Sequence, residues 1–503
     1  MKIRRTSSLK SPTRESKDAS RQTAQWDARN IFKNYFVVAG TQIGGAIFSL
    51  ATVWLATRLY GTDGYGSIVA IIAGSQAVQL LTNWTNVALA RYGVQEFVET
   101  GKISKVFWAR TVIFSPNLIL VASTCPLWIY WLLALLRLPT AAVSLIILHF
   151  IFSVVWLHFQ QALQAVKMPR LQGLLIFLER GVIFLFVLFF GFFFKLPWLY
   201  AFYAFILSSF IMSVIAWWHI RNMISWKMAV DKDWMKRILA FSVPLIPYSI
   251  TSFFCTSYLD AFFITKYLSK SELGIYTVAY QINSLLLQFL ILVGSLLMPM
   301  FVTLRAKAQH HHINQYLESV LPLITLAWGL VIPFFAISVG YFIPMIFGTQ
   351  FSNLESVVWV FMLGTTFSLP SVIGYSPFAT AASAVYISFP LALITASVNV
   401  LGNFILIPKW GLVGSSWSTS ISAVAGMASI VLLIRWRFAF KISLLFQAIL
   451  PTFVGLLSFL MIDNRLIASL LISIFTACII LLNFNVIKQS LIFSHSLIRR
   501  NIL

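Results

Sequence analysis

Acidic side chains are scarce in this sequence: 14 of its 503 residues are Asp or Glu, and charged residues of both signs reach only 10%. A soluble domain needs a hydrated exterior, and a chain with 59% apolar residues and so few charges cannot hide its hydrocarbon from water. Cysteine is rarer still. Cys125, Cys255 and Cys478 stand far apart inside apolar segments and offer neither disulfide nor metal spacing. The consecutive His310, His311 and His312 have no carboxylate or cysteine companions, which favours a solvated polar loop over a metal site. Long loops are also missing. The longest between apolar runs, 220–238, holds only Asp231 and Asp233 as acids, leaving no room for a soluble catalytic module. The reading is a non-enzyme without a cofactor. The basic stretch RRTSSLKSPTRESKDASRQ lacks an apolar core, so it is no secretory signal and reads as a disordered tail.

What the chain has instead is apolar runs near the ~20 residues that a helical span needs, recurring from Lys33 to the C-terminal tail. They imply an all-α polytopic membrane protein of fourteen spans, or twelve if the weak last pair is one re-entrant unit. Lys and Arg set the orientation, because cytoplasmic loops retain them. With the N-terminus inside, 28 of the 36 fall on the cytoplasmic side, seven on the outside and Arg180 within a span. Both termini are then cytoplasmic. The net charge of +22 is a membrane-orientation signal, with anionic lipid rather than nucleic acid as the partner it suggests.

A short phrase is written twice. In WLATRLYGTDGYGSIVA (54–70), Thr57, Arg58 and Gly66 keep the mutual spacing of Thr265, Lys266 and Gly274 in FITKYLSKSELGIYTVA (263–279). The shift overlays spans one and two on spans seven and eight. Six spans intervene, so the copies share one membrane orientation, as in parallel repeats whose substrate path lies between the halves. The expected organisation is a tail (1–32), a six-helix bundle (33–222), a linker (223–237), a second six-helix bundle (238–436), an added helix pair (437–487) and a tail (488–503), with a central cavity between the bundles.

Polar positions point to the same cavity. Gln76, Gln79, Asn83 and Asn86 fall on one face of span two, and Thr277, Gln281, Ser284 and Gln288 on one face of span eight. Gln42 in span one shares a side with Ser49 and Thr52, and span seven carries Ser249, Ser252, Thr256 and Asp260. Such stripes must face protein or water, either across dry helix contacts or along a hydrated passage. For the amides the passage is the preferred reading. Glu179 and Arg180 lie roughly 12–14 Å into span five, too deep to snorkel easily. Arg180 is a candidate cavity cation for an anionic headgroup, against a buried ion pair that holds span five in place. Asp260 and Glu179 are candidate ion-coupling carboxylates, although pairing of Asp260 with Lys266 at the interface is the simpler expectation. Lys167 and Arg170 flank Pro169 at the cytoplasmic mouth, as a phosphate-attracting rim or as plain topology signals. Pro244 and Pro247 free backbone groups in span seven and predict a bend there.

The segments FSVPLIPYSI (241–250) and YLDAFFITKYLSKSELGIYTVAYQI (258–282) resemble the start of the second half in the polysaccharide and oligosaccharide-lipid flippases of the multidrug/oligosaccharidyl-lipid/polysaccharide exporter superfamily. TRLYGTDGYGSIVA, ALARYGVQEFVETGKISKVF (88–107) and NFILIPKWGLVGSSWSTSISAV (403–424) extend the likeness over most of residues 30–435. The loop AASA (381–384) departs from it by lacking a basic residue. The resemblance implies a V-shaped pair of bundles walled by spans one, two, seven and eight. It also implies a substrate: an undecaprenyl-diphosphate-linked oligosaccharide, moved to the outer leaflet of a bacterial plasma (inner) membrane for O-antigen, capsule or exopolysaccharide. Polysaccharide polymerase or assembly proteins are the partners that would follow. The alternatives are a cation-coupled multidrug exporter of the same superfamily and a membrane-embedded glycan polymerase or transferase.

Overall fold

The computed structural model describes residues 14–225, 231–306, 308–352, 354–382, 388–438, 440–462 and 464–484. Among them the regular structure is helical throughout, since a segment in hydrocarbon must satisfy its own backbone N–H and C=O groups. The first half holds α1 (Arg14–Asn83), α2 (Asn86–Thr100), α3 (Ser104–Leu135), α4 (Ala142–Ala165), α5 (Pro169–Leu188), α6 (Trp198–Ala201) and α7 (Tyr203–Ile220). The second holds α8 (Lys232–Ser242), α9 (Ile246–Phe253), α10 (Ser257–Tyr267), α11 (Lys270–Ala306), α12 (His310–Gln315), α13 (Leu321–Phe347), α14 (Leu354–Pro370), α15 (Ser376–Ala381) and α16 (Ser388–Arg437). The added pair, α17 (Ser443–Met461) and α18 (Arg465–Leu482), packs against α13.

Among the described residues ten helices are long and apolar enough to cross a membrane, or eleven if the bent pair Lys232–Phe253 and Ser257–Tyr267 is one broken span. The sequence reading gives more because α1 and α16 each join two helices at a break, at Gly61 (φ 68°) and Gly411 (φ 58°). A side chain at Gly61 would strain that left-handed backbone. Helix α1 begins at Arg14, inside the stretch read as a disordered tail, and no glycine or proline interrupts it before Gly40. Residues 1–13 and 488–503 of the two expected tails lie outside the described residues, as does part of the loop at 381–384. Pro244 and Pro247 occupy a 3-10 turn, Val243–Leu245, and the first turn of α9. The sharper bend, 49°, comes later, between α9 and α10.

The linker after α7 is docked on the first half. Ile103 N–H donates to the Met223 carbonyl at 3.0 Å, the Ser225 N–H to Ser104 Oγ at 2.7 Å, and the Trp108 indole to the Ser225 carbonyl at 2.8 Å. Lys105 pairs with Asp231 at 3.5 Å. Helix α8 continues this contact against α2 and α3, with Tyr92 edge-on to both Trp234 and Phe241. Glu96 closes the same corner: its two carboxylate oxygens accept the N–H groups of Lys105 and Val106 at 2.9 and 2.8 Å. It thereby caps α3, whose own N-cap, Ile103, has no side chain able to do so.

The buried apolar residues divide unevenly between the two ends of the molecule. At the end where α1 breaks and α11 begins, one continuous core draws on both halves, uniting Leu55, Tyr65, Ile68 and Ile146 with Ile264, Tyr276, Val278 and Trp359. At the other end there are two. Leu89, Phe107, Trp156 and Trp234 form one with the first half, and Phe301, Tyr316, Tyr375 and Phe440 form another within the second. Apart from α8, which lies on the first half, the halves are therefore packed together at one end and have separate interiors at the other.

Candidate functional site

The joined end is a seam built around the duplicated phrase. Gly66 and Gly274 lie at the crossing of α1 and α11, where a Cβ on Gly66 would stand 1.8 Å from the Lys270 carbonyl oxygen and one on Gly274 2.2 Å from that of Thr62. No other residue permits so close a backbone approach. Around the crossing, Thr62 and Ser271 share a hydroxyl hydrogen bond at 2.6 Å, and Lys270 lies 3.8 Å from Asp63. Arg137 donates to the carbonyls of Leu268 and Lys266 at 2.6 and 2.9 Å. Trp54 and Arg58 both donate to the carbonyl of Ile346, at 2.9 and 2.8 Å. Each of these bonds runs from one half to the other. Thr57 and Thr265 are buried and bond back to carbonyls of their own preceding turn, Trp54 and Ala261.

Below the seam, Arg180 is exposed on α5. Its Cγ is 3.7 Å from where a Cβ on Gly45 of α1 would stand, and it lies within electrostatic reach of Tyr258 in α10. Glu179, one residue earlier, turns into the first half and accepts from Ser209 of α7 at 3.3 Å. The adjacent charges thus point into different surroundings, as their helical offset requires. Gln42 and Gln288 are exposed, Gln76 and Gln281 half-buried, and Gln281 Oε1 accepts from Ser284 at 3.4 Å. Gln79 is buried and accepts from the Asn83 amide at 3.2 Å, while Asn86 accepts from Arg110. The amide row of span two therefore divides, with Gln76 half-buried and the other three bonded within the first half. Lys167 and Arg170 are exposed beside Pro169, at the end away from the seam.

Two polar sites are buried. In the second half Asp260 is 1% exposed and accepts from Tyr276 at 2.6 Å, Asn403 at 2.7 Å, Asn399 at 3.2 Å and Thr419 at 3.4 Å. Ser415 and Ser418 fix the two asparagine amides by donating to their Oδ1 atoms, at 3.0 and 3.1 Å. All four donors to Asp260 are neutral. Lys266, the partner expected from sequence, is exposed, and its ring contact is with Tyr267. One carboxylate among amides and hydroxyls suits a proton or a hard monovalent cation better than a transition metal. Asn399 and Asn403, two asparagines four residues apart in an apolar run, carry the same kind of signal as the amide rows of spans two and eight but lie outside them.

In the first half Arg110 is fully buried and bonds to Thr85, His158 and Asn86, with Phe114 under its guanidinium. Its position just before an apolar run reads as a loop charge. Helix α3 begins at Ser104, however, which takes Arg110 nearly two turns inside.

With this geometry established, comparison with known proteins gives three results. The family model described as polysaccharide biosynthesis protein matches residues 31–305. No curated protein matches in sequence. Among solved structures, the lipid II flippase MurJ in an inward closed conformation is similar at 14% identity and TM-score 0.68, over 93% of this chain and 100% of that one. The Vibrio cholerae MATE transporter VcmN in its bent form is similar at 14% identity and TM-score 0.51, over 84% of this chain and 97% of that one. An outward-facing multidrug resistance MATE transporter of the MOP superfamily, at 17% identity and TM-score 0.50, covers 80% of this chain with 95% of its own. These likenesses establish a shared fold.

Proposed function

The chain belongs to the polysaccharide biosynthesis protein family, and from that premise we propose that it flips an undecaprenyl-diphosphate-linked oligosaccharide between leaflets by alternating access. The observation that carries this reading is the uneven core, shared by both halves at the seam and divided at the opposite end. A path between the halves is then closed at one end by contacts that can separate without unfolding either bundle. On this reading the membrane is a bacterial plasma membrane, and the divided end and both termini face the cytoplasm, which the bias of Lys and Arg supports.

A sugar diphosphate cannot cross ~30 Å of hydrocarbon alone, because its hydroxyls and charges would lose their water. On this reading Lys167 and Arg170 attract the diphosphate at the mouth, and Arg180 receives it between the halves. Gln42, Gln76, Gln281 and Gln288 offer hydrogen bonds to sugar hydroxyls while the polyprenyl chain stays in lipid. Asp260 holds the coupling proton or monovalent cation, whose presence supplies the counter-charge that its neutral donors do not. A polymerase or other assembly protein that consumes the flipped unit removes product on the far side. A second reading, a cation-coupled exporter of small molecules, is favoured by the Asp260 site and the likeness to MATE transporters.

Proteoliposomes carrying a fluorescent lipid-linked oligosaccharide separate the two. The wild type is expected to make the probe accessible to an impermeant quencher on both faces, and Arg180→Ala to slow this at least about tenfold, the loss of one charge-assisted contact. No acceleration over empty liposomes, together with uptake of small organic cations, would replace the flippase with the exporter.

A further inference from the structure

At the divided end of the second half, two arginines and a histidine that the transport reading does not use converge on one cavity. Arg305 comes from the last turn of α11, His310 from the start of α12 and Arg437 from the last turn of α16. With Asn314, Phe378 and Phe438 they line a space of about 270 Å³. That is below the range of most drug-sized pockets and ample for one small anion. The walls come from the second half alone.

Its charge is not balanced from within. Among the described residues no ion pair involves Arg305, His310 or Arg437; the nearby Glu318 instead accepts the backbone N–H of Lys441 at 2.7 Å. Arg305 also has a buried guanidinium nitrogen, Nη1, with no hydrogen-bond partner among the described residues. Cations at helix C-termini are favoured by the helix dipole, which accounts for either arginine alone. It does not account for a buried N–H left without an acceptor, which costs more than the dipole returns. An acceptor-rich anion would answer both the charge and the donor, and guanidinium groups match phosphate oxygens in geometry. The lower wall is aromatic, with Phe378 edge-on to Phe438 at 5.0 Å, and Trp436 next to Arg437 is 87% exposed. Tryptophan beside arginine at a span end marks the headgroup level of a bilayer.

We infer that Arg305, His310 and Arg437 form a binding site for a phosphate group at the headgroup level of the second half. The phosphate is that of an anionic phospholipid held against the phenylalanines or of a soluble phosphate entering from the aqueous side. Binding ties the ends of α11 and α16 together.

Native mass spectrometry of the full chain released from vesicles of phosphatidylcholine with about one fifth phosphatidylglycerol tests the site, with inorganic phosphate as a soluble competitor. The variants are Arg305→Gln/Arg437→Gln, the charge-preserving Arg305→Lys/Arg437→Lys, and Arg435→Gln as a control on the exposed face. Retained phosphatidylglycerol is expected to fall about tenfold in the double glutamine variant, and little in the other two. Thermal midpoints with and without each ligand give an independent reading on any variant that folds poorly. Retention that survives millimolar phosphate assigns the site to lipid. Phosphate that raises the midpoint of the wild type but not of the glutamine variant, and displaces the lipid, assigns it to a soluble anion. Equal retention and equal midpoint shifts in wild type and glutamine variant, or no response of the wild type to either ligand, would overturn the site. None of these outcomes depends on transport.

Discussion

Asp260 sits among four neutral donors, and at the scale of single residues this gives the sharpest test of coupling. Asp260→Asn keeps the size and most of the hydrogen bonding while removing the exchangeable charge. Flipping down a substrate gradient is expected to persist, and its stimulation by an imposed proton or sodium gradient to vanish; stimulation equal to wild type would show that the carboxylate is structural. Glu96 gives a second prediction, on stability. Burial raises its carboxyl above the ordinary value, opposed by the N–H groups of Val106 and Lys105. A raised native value means that the folded state holds the proton longer than the unfolded one. The contribution is therefore complete below the ordinary carboxylate range and is lost as pH rises through the native value. Glu96→Gln removes one of two cap acceptors, a change of about 1 kcal/mol, and the margin of wild type over variant in thermal midpoint should narrow from acid toward neutral pH. Asp260 was legible in sequence as a carboxylate within an apolar run. Its partners were not, because Asn399, Asn403 and Thr419 reach it from spans that only the tertiary fold brings near.

Helices of this protein are interrupted at positions that other side chains hold. The break between α1 and α2, at Trp84 and Thr85, is held by Arg110, which bonds to Thr85 in the break and to Asn86, the first residue of α2. Arg110→Leu should leave half-buried Asn86 and buried His158 without their donor and cost ~1–3 kcal/mol, seen as a lower thermal midpoint in nanodiscs. An unchanged midpoint would mean that α2 is positioned by its apolar packing alone. The existence of helices follows from the recurring apolar runs. Their exact ends do not: a start at Ser104 rather than at the apolar boundary turns Arg110 from a loop charge into a buried one. The prolines of span seven likewise mark a 3-10 turn, while the 49° bend lies beyond Phe253, where no proline stands.

Across the whole molecule the decisive contact is the crossing of α1 and α11. Gly66→Val would place methyl groups against the Lys270 carbonyl and prevent closure at that end. In a background without the three native cysteines, Ser271→Cys reports on it through an impermeant maleimide. The valine variant is expected to raise labelling several-fold and to abolish flipping; low labelling with normal transport would show that the seam is not the gate. The 208-residue offset between Thr57, Arg58, Gly66 and their counterparts was visible as spacing. What spacing cannot reveal is that the two glycines touch, since that depends on how near each copy lies to the axis between the halves. Because this closure is main chain against main chain, it has little tolerance for anything interposed. A thin rigid wedge, such as the tip of an antibody loop, would have only to slip between the two helix backbones to jam the machine in the splayed posture, and its recognition surface would be one that mutation cannot easily reshape.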